Sequence, residues 1–356
     1  MLEHGGRLRA AAQRYGIPLE DWLDLSTGIA PYGWELPAVP RSAWTRLPET
    51  DDGLEQAARD YYGAASLLPV AGSQAAIQAL PRLRGHSRVG ILAPTYAEHA
   101  AAWRREGHCV TKLSEGAVHR ALPQLDVLLL VNPNNPTGRL IEPARLLDWH
   151  DELAERGGRL VVDEAFMDCT PQHSLAAYSD MPGLIVLRSF GKFFGLAGLR
   201  LGFVLAAQAL LDELQVLLGP WAVSGPARSV ALSLLVDGEG QRRQRERRRR
   251  VATHRLQHDA WVMDADHGQL LGSDEAVVRI ADDDRAVGHR HACAHALQAQ
   301  GGVLQHAQPV AVERQELFGI GLARQRPQAG TAAAAQDHGD QFMGRVHGRV
   351  NVVEKR

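Results

Sequence analysis

The spacing of short apolar runs constrains this chain more than any other feature. Asp126-Val-Leu-Leu-Leu-Val131, Arg159-Leu-Val-Val-Asp163 and Leu184-Ile-Val-Leu187 each read as a buried strand. Helix-like stretches lie between and around them. The pattern predicts a strand over 88–93, a helix over 98–106, a helix over 143–155, a strand over 201–205 and a helix over 207–218. Strands that alternate with helices in this way imply an α/β fold with a largely parallel sheet. Upstream, 3–15 reads as an amphipathic helix ending near Gly16 and Pro18, and 54–62 as a helix closed by Gly63. Residues 26–50, rich in Pro, Gly and Trp, read as a loop-rich arm.

Open α/β sheets bind ligands outside the carboxyl ends of their strands, and this chain places polar residues there. The strand at 126–131 runs into Asn132-Pro-Asn-Asn135-Pro-Thr-Gly138, a turn cluster that fixes Asn135. The strand at 159–163 ends in Asp163, within Asp163-Glu-Ala-Phe166. The strand from Leu184 leads into Ser189-Phe-Gly-Lys192-Phe-Phe-Gly-Leu-Ala-Gly-Leu-Arg200. A desolvated lysine has a lowered pKa and acts as an amine nucleophile towards an aldehyde. A hydroxyl and a guanidinium nearby hold a phosphate. An amide donor suits a phenolic oxygen, and a carboxylate pairs with a protonated pyridine nitrogen. Together these are the needs of pyridoxal 5′-phosphate. Each segment also has a plainer reading: a Gly-rich turn with a surface lysine, an Asn-Pro turn, a helix-capping Asp. Three such segments in this order are hard to obtain by chance.

In these motifs the chain resembles the fold-type I, class I and II aminotransferase-like enzymes that use pyridoxal phosphate. The resemblance implies a large domain with a mostly parallel, mixed sheet flanked by helices, and a smaller α/β domain from N- and C-terminal parts. It implies that Lys192 carries the cofactor, Asp163 pairs with its ring nitrogen and Asn135 bonds its ring hydroxyl. Ser189 and Arg200 hold its phosphate. Gly72, Ser73 and Gln74 match the family's phosphate loop at a helix N-terminus. Tyr96, in Pro94-Thr-Tyr96, matches the aromatic that stacks on the ring, although core packing would suit it equally.

Within that group, the chain is most similar to the threonine-phosphate decarboxylase branch, which serves cobalamin biosynthesis. The similarity rests on His4-Gly-Gly6, Tyr15-Gly-Ile-Pro18, Leu23-Asp-Leu-Ser-Thr-Gly-Ile29, Leu47-Pro-Glu49, Asp51-Asp-Gly-Leu54, Tyr61-Tyr-Gly63 and Gly219-Pro-Trp-Ala-Val-Ser-Gly-Pro226. It covers about the first 228 residues. It implies decarboxylation of L-threonine O-3-phosphate to (R)-1-amino-2-propanol O-2-phosphate, with His4 and Asn135 at the substrate. A surface histidine in a frayed terminus explains His4 as well. Histidinol-phosphate aminotransferase is the competing resemblance. Phe166 separates the two, because the aminotransferases usually place a tyrosine there and phenylalanine cannot donate. Phe166 is expected both to line the cofactor site and to pack in the core.

Composition excludes other classes. Formal net charge is −2, so no global field favours nucleic acid or a membrane surface. No apolar run spans a bilayer, and Met1-Leu-Glu-His-Gly-Gly-Arg7 is polar at once, unlike a signal peptide. Three cysteines without paired spacing suit a reducing cytoplasm. No metal site is expected, and the resemblance implies a homodimer. The domains are expected at 1–45 (arm and part of the small domain), 46–228 (large cofactor-binding domain) and 229–356 (C-terminal small domain). That last segment is atypical. Arg, Gln, His and Ala are dense, with Gln241-Arg-Arg-Gln-Arg-Glu-Arg-Arg-Arg-Arg250 the extreme case. Such a run suits a solvated helix face or a nucleic-acid patch. The arginine that the family uses for the substrate carboxylate is absent from Leu317-Phe-Gly-Ile320, and Arg314, Arg324 and Arg326 do not match the motif. The preferred expectation is a frameshifted or drift-degraded, poorly ordered tail. A cofactor-binding but inactive protein is the alternative that follows from it.

Overall fold

The computed structural model describes residues 2, 4–24, 26–31, 34–256, 276–280 and 350–354. The expectations placed on Arg314, Leu317–Ile320, Arg324 and Arg326 lie outside these residues. The chain forms two compact units, one of residues 29–248 and one joining 1–28 with 249–356.

In the second unit, helix α1 (Leu8–Tyr15) packs by Leu8, Ala11 and Ala12 against the buried Trp22 of strand β1 (Trp22–Asp24). Gly16 ends α1 in a left-handed conformation, as its place after the helix predicts. Strand β1 pairs antiparallel with β9 (Ala276–Ile280), and β9 pairs antiparallel with β10 (Val350–Glu354).

The larger unit is built on a seven-stranded sheet. Its strands are β2 (Leu67–Val70), β3 (Arg88–Leu92), β4 (Cys109–Leu113), β5 (Val127–Val131), β6 (Arg159–Asp163), β7 (Leu184–Ser189) and β8 (Gly202–Ala206). They lie in the order β2-β8-β7-β6-β5-β3-β4. The pairs β4-β3, β3-β5, β5-β6 and β6-β7 are parallel, while β8 runs antiparallel to both β7 and β2. The sheet is therefore mostly parallel and mixed.

The uninterrupted apolar runs follow from burial on both faces. Leu128, Leu130, Leu160, Val162, Leu184 and Val186 join one core with helices α3 (Leu54–Tyr62), α7 (Pro143–Ala154) and α10 (Gly225–Leu235). The alternate residues Val127, Leu129, Val161, Ile185 and Leu187 join a second core with α4 (Ser73–Ala79), α5 (Ala97–Arg105) and α9 (Gln208–Leu218). A strand has period two, so successive residues serve opposite cores. Three short helices are α2 (Arg41–Thr45), α6 (Val118–Ala121) and α8 (Phe190–Phe193). Helix α11 (Gly238–Leu256) carries the arginine run.

Most expected elements appear within a residue or two of their predicted ends. The loop-rich arm contains one short helix, α2, and α4 is followed by a 3-10 turn, Leu80–Leu83. Strands β2 and β4 carry weak sequence signals: β2 contains Pro69, and β4 is mostly exposed at the sheet edge.

Candidate active site

The carboxyl ends of β5, β6 and β7 and the turns after β2 and β3 converge on one pocket. It is lined by Gly72, Ser73, Gln74, Tyr96, Asn135, Asp163, Phe166, Ser189, Lys192 and Arg200, with Val131, Ala165, Gly191, Ala197 and Leu201 between them. Every residue expected at the cofactor is thus in a single wall. His4 is exposed and belongs to the unit of residues 1–28 and 249–356.

Strand β7 ends at Ser189, and the chain turns at once into the single helical turn of α8, which carries Lys192. Burial lowers the pKa of the Lys192 amine; Asp163 opposes that shift and Arg200 adds to it. An amine kept from charging is a nucleophile and a base near neutral pH. Its Nζ lies 5.6 Å from the centre of the Phe166 ring, which is itself buried.

Asp163 ends β6 and is 3% exposed. Its Oδ1 accepts from the Ala165 N–H at 3.0 Å, and its Oδ2 lies 2.8 Å from His99 Nε2. His99 projects from α5 and is also buried. The sequence reading missed it. The one available signal was its position three residues after Tyr96, which shares a helical face with it. The Tyr96 and His99 rings meet edge to face at 6.0 Å.

Tyr96 is fixed from its other end as well. Its hydroxyl donates to Gln74 Oε1 at 3.2 Å, while Gln74 Nε2 donates to Glu98 Oε2 at 2.8 Å. Burial, with Glu98 and Asp163 adding to it, pushes the Tyr96 phenol up to about 12, so it stays a donor. The turn bearing Asn135 is braced by its neighbours. Asn132 exchanges two hydrogen bonds with the Ile141 backbone, and Asn134 accepts from Thr95 Oγ1 at 2.8 Å and donates to Pro94 O at 2.9 Å. These bonds hold the Tyr96 and Asn135 turns together.

Elsewhere around the pocket the backbone approaches closely. Gly72 has φ +75, and a Cβ there would lie 2.6 Å from Arg200 Nη2. A Cβ on Gly202 would lie 2.5 Å from the Ser73 amide nitrogen. Only glycines let the Gly72–Gln74 turn, Arg200 and β8 meet. Arg200 itself has left-handed backbone, φ 54, uncommon for a residue with a side chain and typical of a functional turn. The pocket therefore offers backbone amides, a hydroxyl and a guanidinium together with an amine, a carboxylate and an amide.

The chain is similar to known proteins in sequence and in fold. The family described as aminotransferase class I and II matches residues 20–317. The chain is 68% identical over 242 residues to a threonine-phosphate decarboxylase of Pseudomonas aeruginosa, covering 68% of this chain and 73% of that one. It is 50% identical over 238 residues to the threonine-phosphate decarboxylase of a Sinorhizobium species, covering 65% and 71%. Among solved structures, an L-threonine-O-3-phosphate decarboxylase from Porphyromonas gingivalis superposes with a TM-score of 0.53 at 22% identity, over 67% of this chain and 78% of that one. At that identity the likeness shows the fold alone.

Proposed function

The chain belongs to the class I and II aminotransferase family, and from that premise we propose that it decarboxylates L-threonine O-3-phosphate to (R)-1-amino-2-propanol O-2-phosphate, a step of cobalamin biosynthesis. One observation carries the reading: the Lys192–Asp163 pocket occurs in a chain two-thirds identical, over most of its length, to a protein of that name.

Its cofactor is pyridoxal 5′-phosphate, and the residues present fit that group. Close approach at Gly72 brings the Gly72–Gln74 turn against the Arg200 guanidinium, which with Ser73 and Ser189 lines the pocket as a set of phosphate donors, and the same pocket holds a buried amine and a buried carboxylate. When bound, the cofactor supplies an electron sink for the bond broken at the substrate's Cα. Lys192 binds the aldehyde. Asp163, aimed by His99 and the Ala165 N–H, holds a proton at the ring nitrogen. Gly72, Ser73, Gln74, Ser189 and Arg200 bind the phosphate. Tyr96 would cover the ring, and Asn135 would donate to the ring hydroxyl and border the substrate. With the substrate amine in its place on the aldehyde, Lys192 Nζ would take up the proton that the substrate amine gives up and deliver it to Cα in place of the departing carbon dioxide. Phe166 has no hydroxyl to offer beside that amine, so the wall next to Lys192 is apolar.

No helix among the described residues is long and apolar enough to cross a membrane. A cytoplasmic homodimer acting on a small phosphorylated amino acid completes the reading. To test it, the loaded protein is given threonine O-3-phosphate and carbon dioxide is collected. Release of carbon dioxide with formation of the aminopropanol phosphate is expected. Transfer of an amino group from histidinol phosphate to 2-oxoglutarate would favour the transaminase instead. Cofactor binding without either reaction would mark an inactive protein.

A further inference from the structure

Helix α11 does not present a uniformly solvated face. Gln241 and Gln244 are 6% and 3% exposed, and Arg245 is half-buried beside them. The three stand at i, i+3 and i+4, one stripe of a helix. In a helix packed on a core that stripe is ordinarily apolar. Here every member is a donor, and each bonds backbone oxygen. Gln241 Nε2 donates to Leu234 O and Leu235 O, both at 2.9 Å, closing the end of α10. Gln244 Nε2 donates to Phe193 O at 2.9 Å. Arg245 Nε donates to Asp168 O at 3.1 Å, and its guanidinium lies 5.6 Å from the Phe193 ring centre.

The Phe193 carbonyl matters because of what precedes it. Helix α8 is a single turn, so its last carbonyls have no partners within the helix. The Lys192 carbonyl accepts from the Ala30 N–H at 3.0 Å and, locally, from the Gly195 N–H at 3.4 Å; the next carbonyl, Phe193, accepts from Gln244. One residue before the lysine, Gly191 fits so tightly that a Cβ would lie 2.7 Å from Ala197 Cα. The lysine's turn is therefore held by two donors from distant segments. A buried carbonyl that loses its donor retains the full cost of desolvation, and relaxes most readily by moving. Movement of this turn displaces Lys192.

We propose that Gln244, donating from α11 to the Phe193 carbonyl, is a positioning residue for Lys192. The inference rests on the reading that Lys192 carries the cofactor. Gln241 supplies the matched control. It is equally buried, on the same helix and makes the same kind of bond, but it touches α10 and not the lysine turn.

The experiment compares Gln244→Leu, Gln244→Asn and Gln241→Leu in the full chain with wild type. Readouts are melting temperature of the apo protein, pyridoxal phosphate affinity and the pH midpoint of the bound cofactor's visible absorption. Borohydride labelling of wild type, with peptide mapping, comes first. Gln244→Leu is expected to weaken cofactor binding about tenfold and to shift the pH midpoint. Gln244→Asn, one methylene too short to reach, is expected to do the same more mildly, and carries the test if the leucine variant does not fold. Gln241→Leu is expected to lower the melting temperature with affinity and midpoint unchanged. If the Gln244 variants lose only thermal stability, as Gln241→Leu does, the positioning role is overturned while the cofactor reading stands. If the wild-type label falls on a lysine other than Lys192, the cofactor reading fails and this inference with it.

Discussion

The two sides of the β6 and β7 strand ends carry the same kinds of groups and treat them in opposite ways. Asp163 and Ser189 face the pocket; Glu164 and Arg188, one step along each strand, face the core behind it. On the pocket side Asp163 meets only a histidine and a backbone N–H, with no arginine or lysine among the described residues bonded to it, and Lys192 is held back from charging by burial. On the rear side the charges are closed on each other. Glu164 accepts from Arg188 Nη1 at 2.8 Å, Ser174 Oγ at 2.5 Å and the Leu175 N–H at 2.8 Å. Arg188 Nη2 lies 3.0 Å from Asp168 Oδ1, and its guanidinium lies 4.6 Å from the Tyr62 ring centre. Both Arg188 and Glu164 are essentially inaccessible to solvent. The contrast teaches a division of labour. Arginine–carboxylate pairs at the rear hold two strand ends together, while the front groups line the pocket and, among the described residues, reach no such pair.

Breaking the rear pairs is expected to give the largest effect. Arg188→Met leaves Glu164 and Asp168 without their buried counter-charge, and such a loss costs about 3–5 kcal/mol of stability. Thermal unfolding measures it. Turnover per folded molecule, assayed in the cold, should change far less. If the folded variant is as inactive as a pocket mutant, the two sides are not separable. Asp163→Asn tests the reverse case. The asparagine oxygen can still accept from the Ala165 N–H, and its NH2 can donate to His99 Nε2 in the ring tautomer that leaves that nitrogen unprotonated, so the melting temperature should stay near wild type. Turnover should fall by about two orders of magnitude, or about 2.7 kcal/mol in barrier height. Near-normal turnover would make Asp163 a structural residue.

The smallest effect sharpens the front side alone. Arg200 depresses the Lys192 pKa and Asp163 raises it. Arg200→Gln should therefore move the lysine's titration to higher pH, and Asp163→Asn should move it to lower pH. Acetic anhydride labelling of the apo protein as a function of pH, read at the Lys192 peptide, reports both. Shifts of the same sign would contradict the charge placement described here.

Much of the larger unit is legible in the sequence because its strands are buried on both faces. Runs such as Val127–Val131 permit few other readings, and turn clusters punctuate them. The pocket residues are legible because each stands at a strand end or in a motif of unusual composition. His99 is not, since a lone histidine in a helix has no sequence mark of the carboxylate 64 residues away that it meets. Glu98 and Asn134 share that problem: their contacts cross between turns that only the folded sheet brings together. The arginine run is deceptive for a different reason. A polar stripe that bonds backbone carbonyls has the composition of a solvated face, so hydropathy cannot tell the two apart. Its buried side shows only in the donors' geometry.

That stripe also sets an order of events during synthesis. Domains assemble as the chain emerges, N-terminal parts first. The β5-β6-β7 ladder, Asp163 and Lys192 itself are all made before residue 238, where α11 begins. Ala30 is already present to take the Lys192 carbonyl, but the Phe193 carbonyl waits for Gln244. The nascent chain thus passes through a stage in which the sheet is complete and the lysine turn is half-tethered, and the arginine-rich helix closes it last.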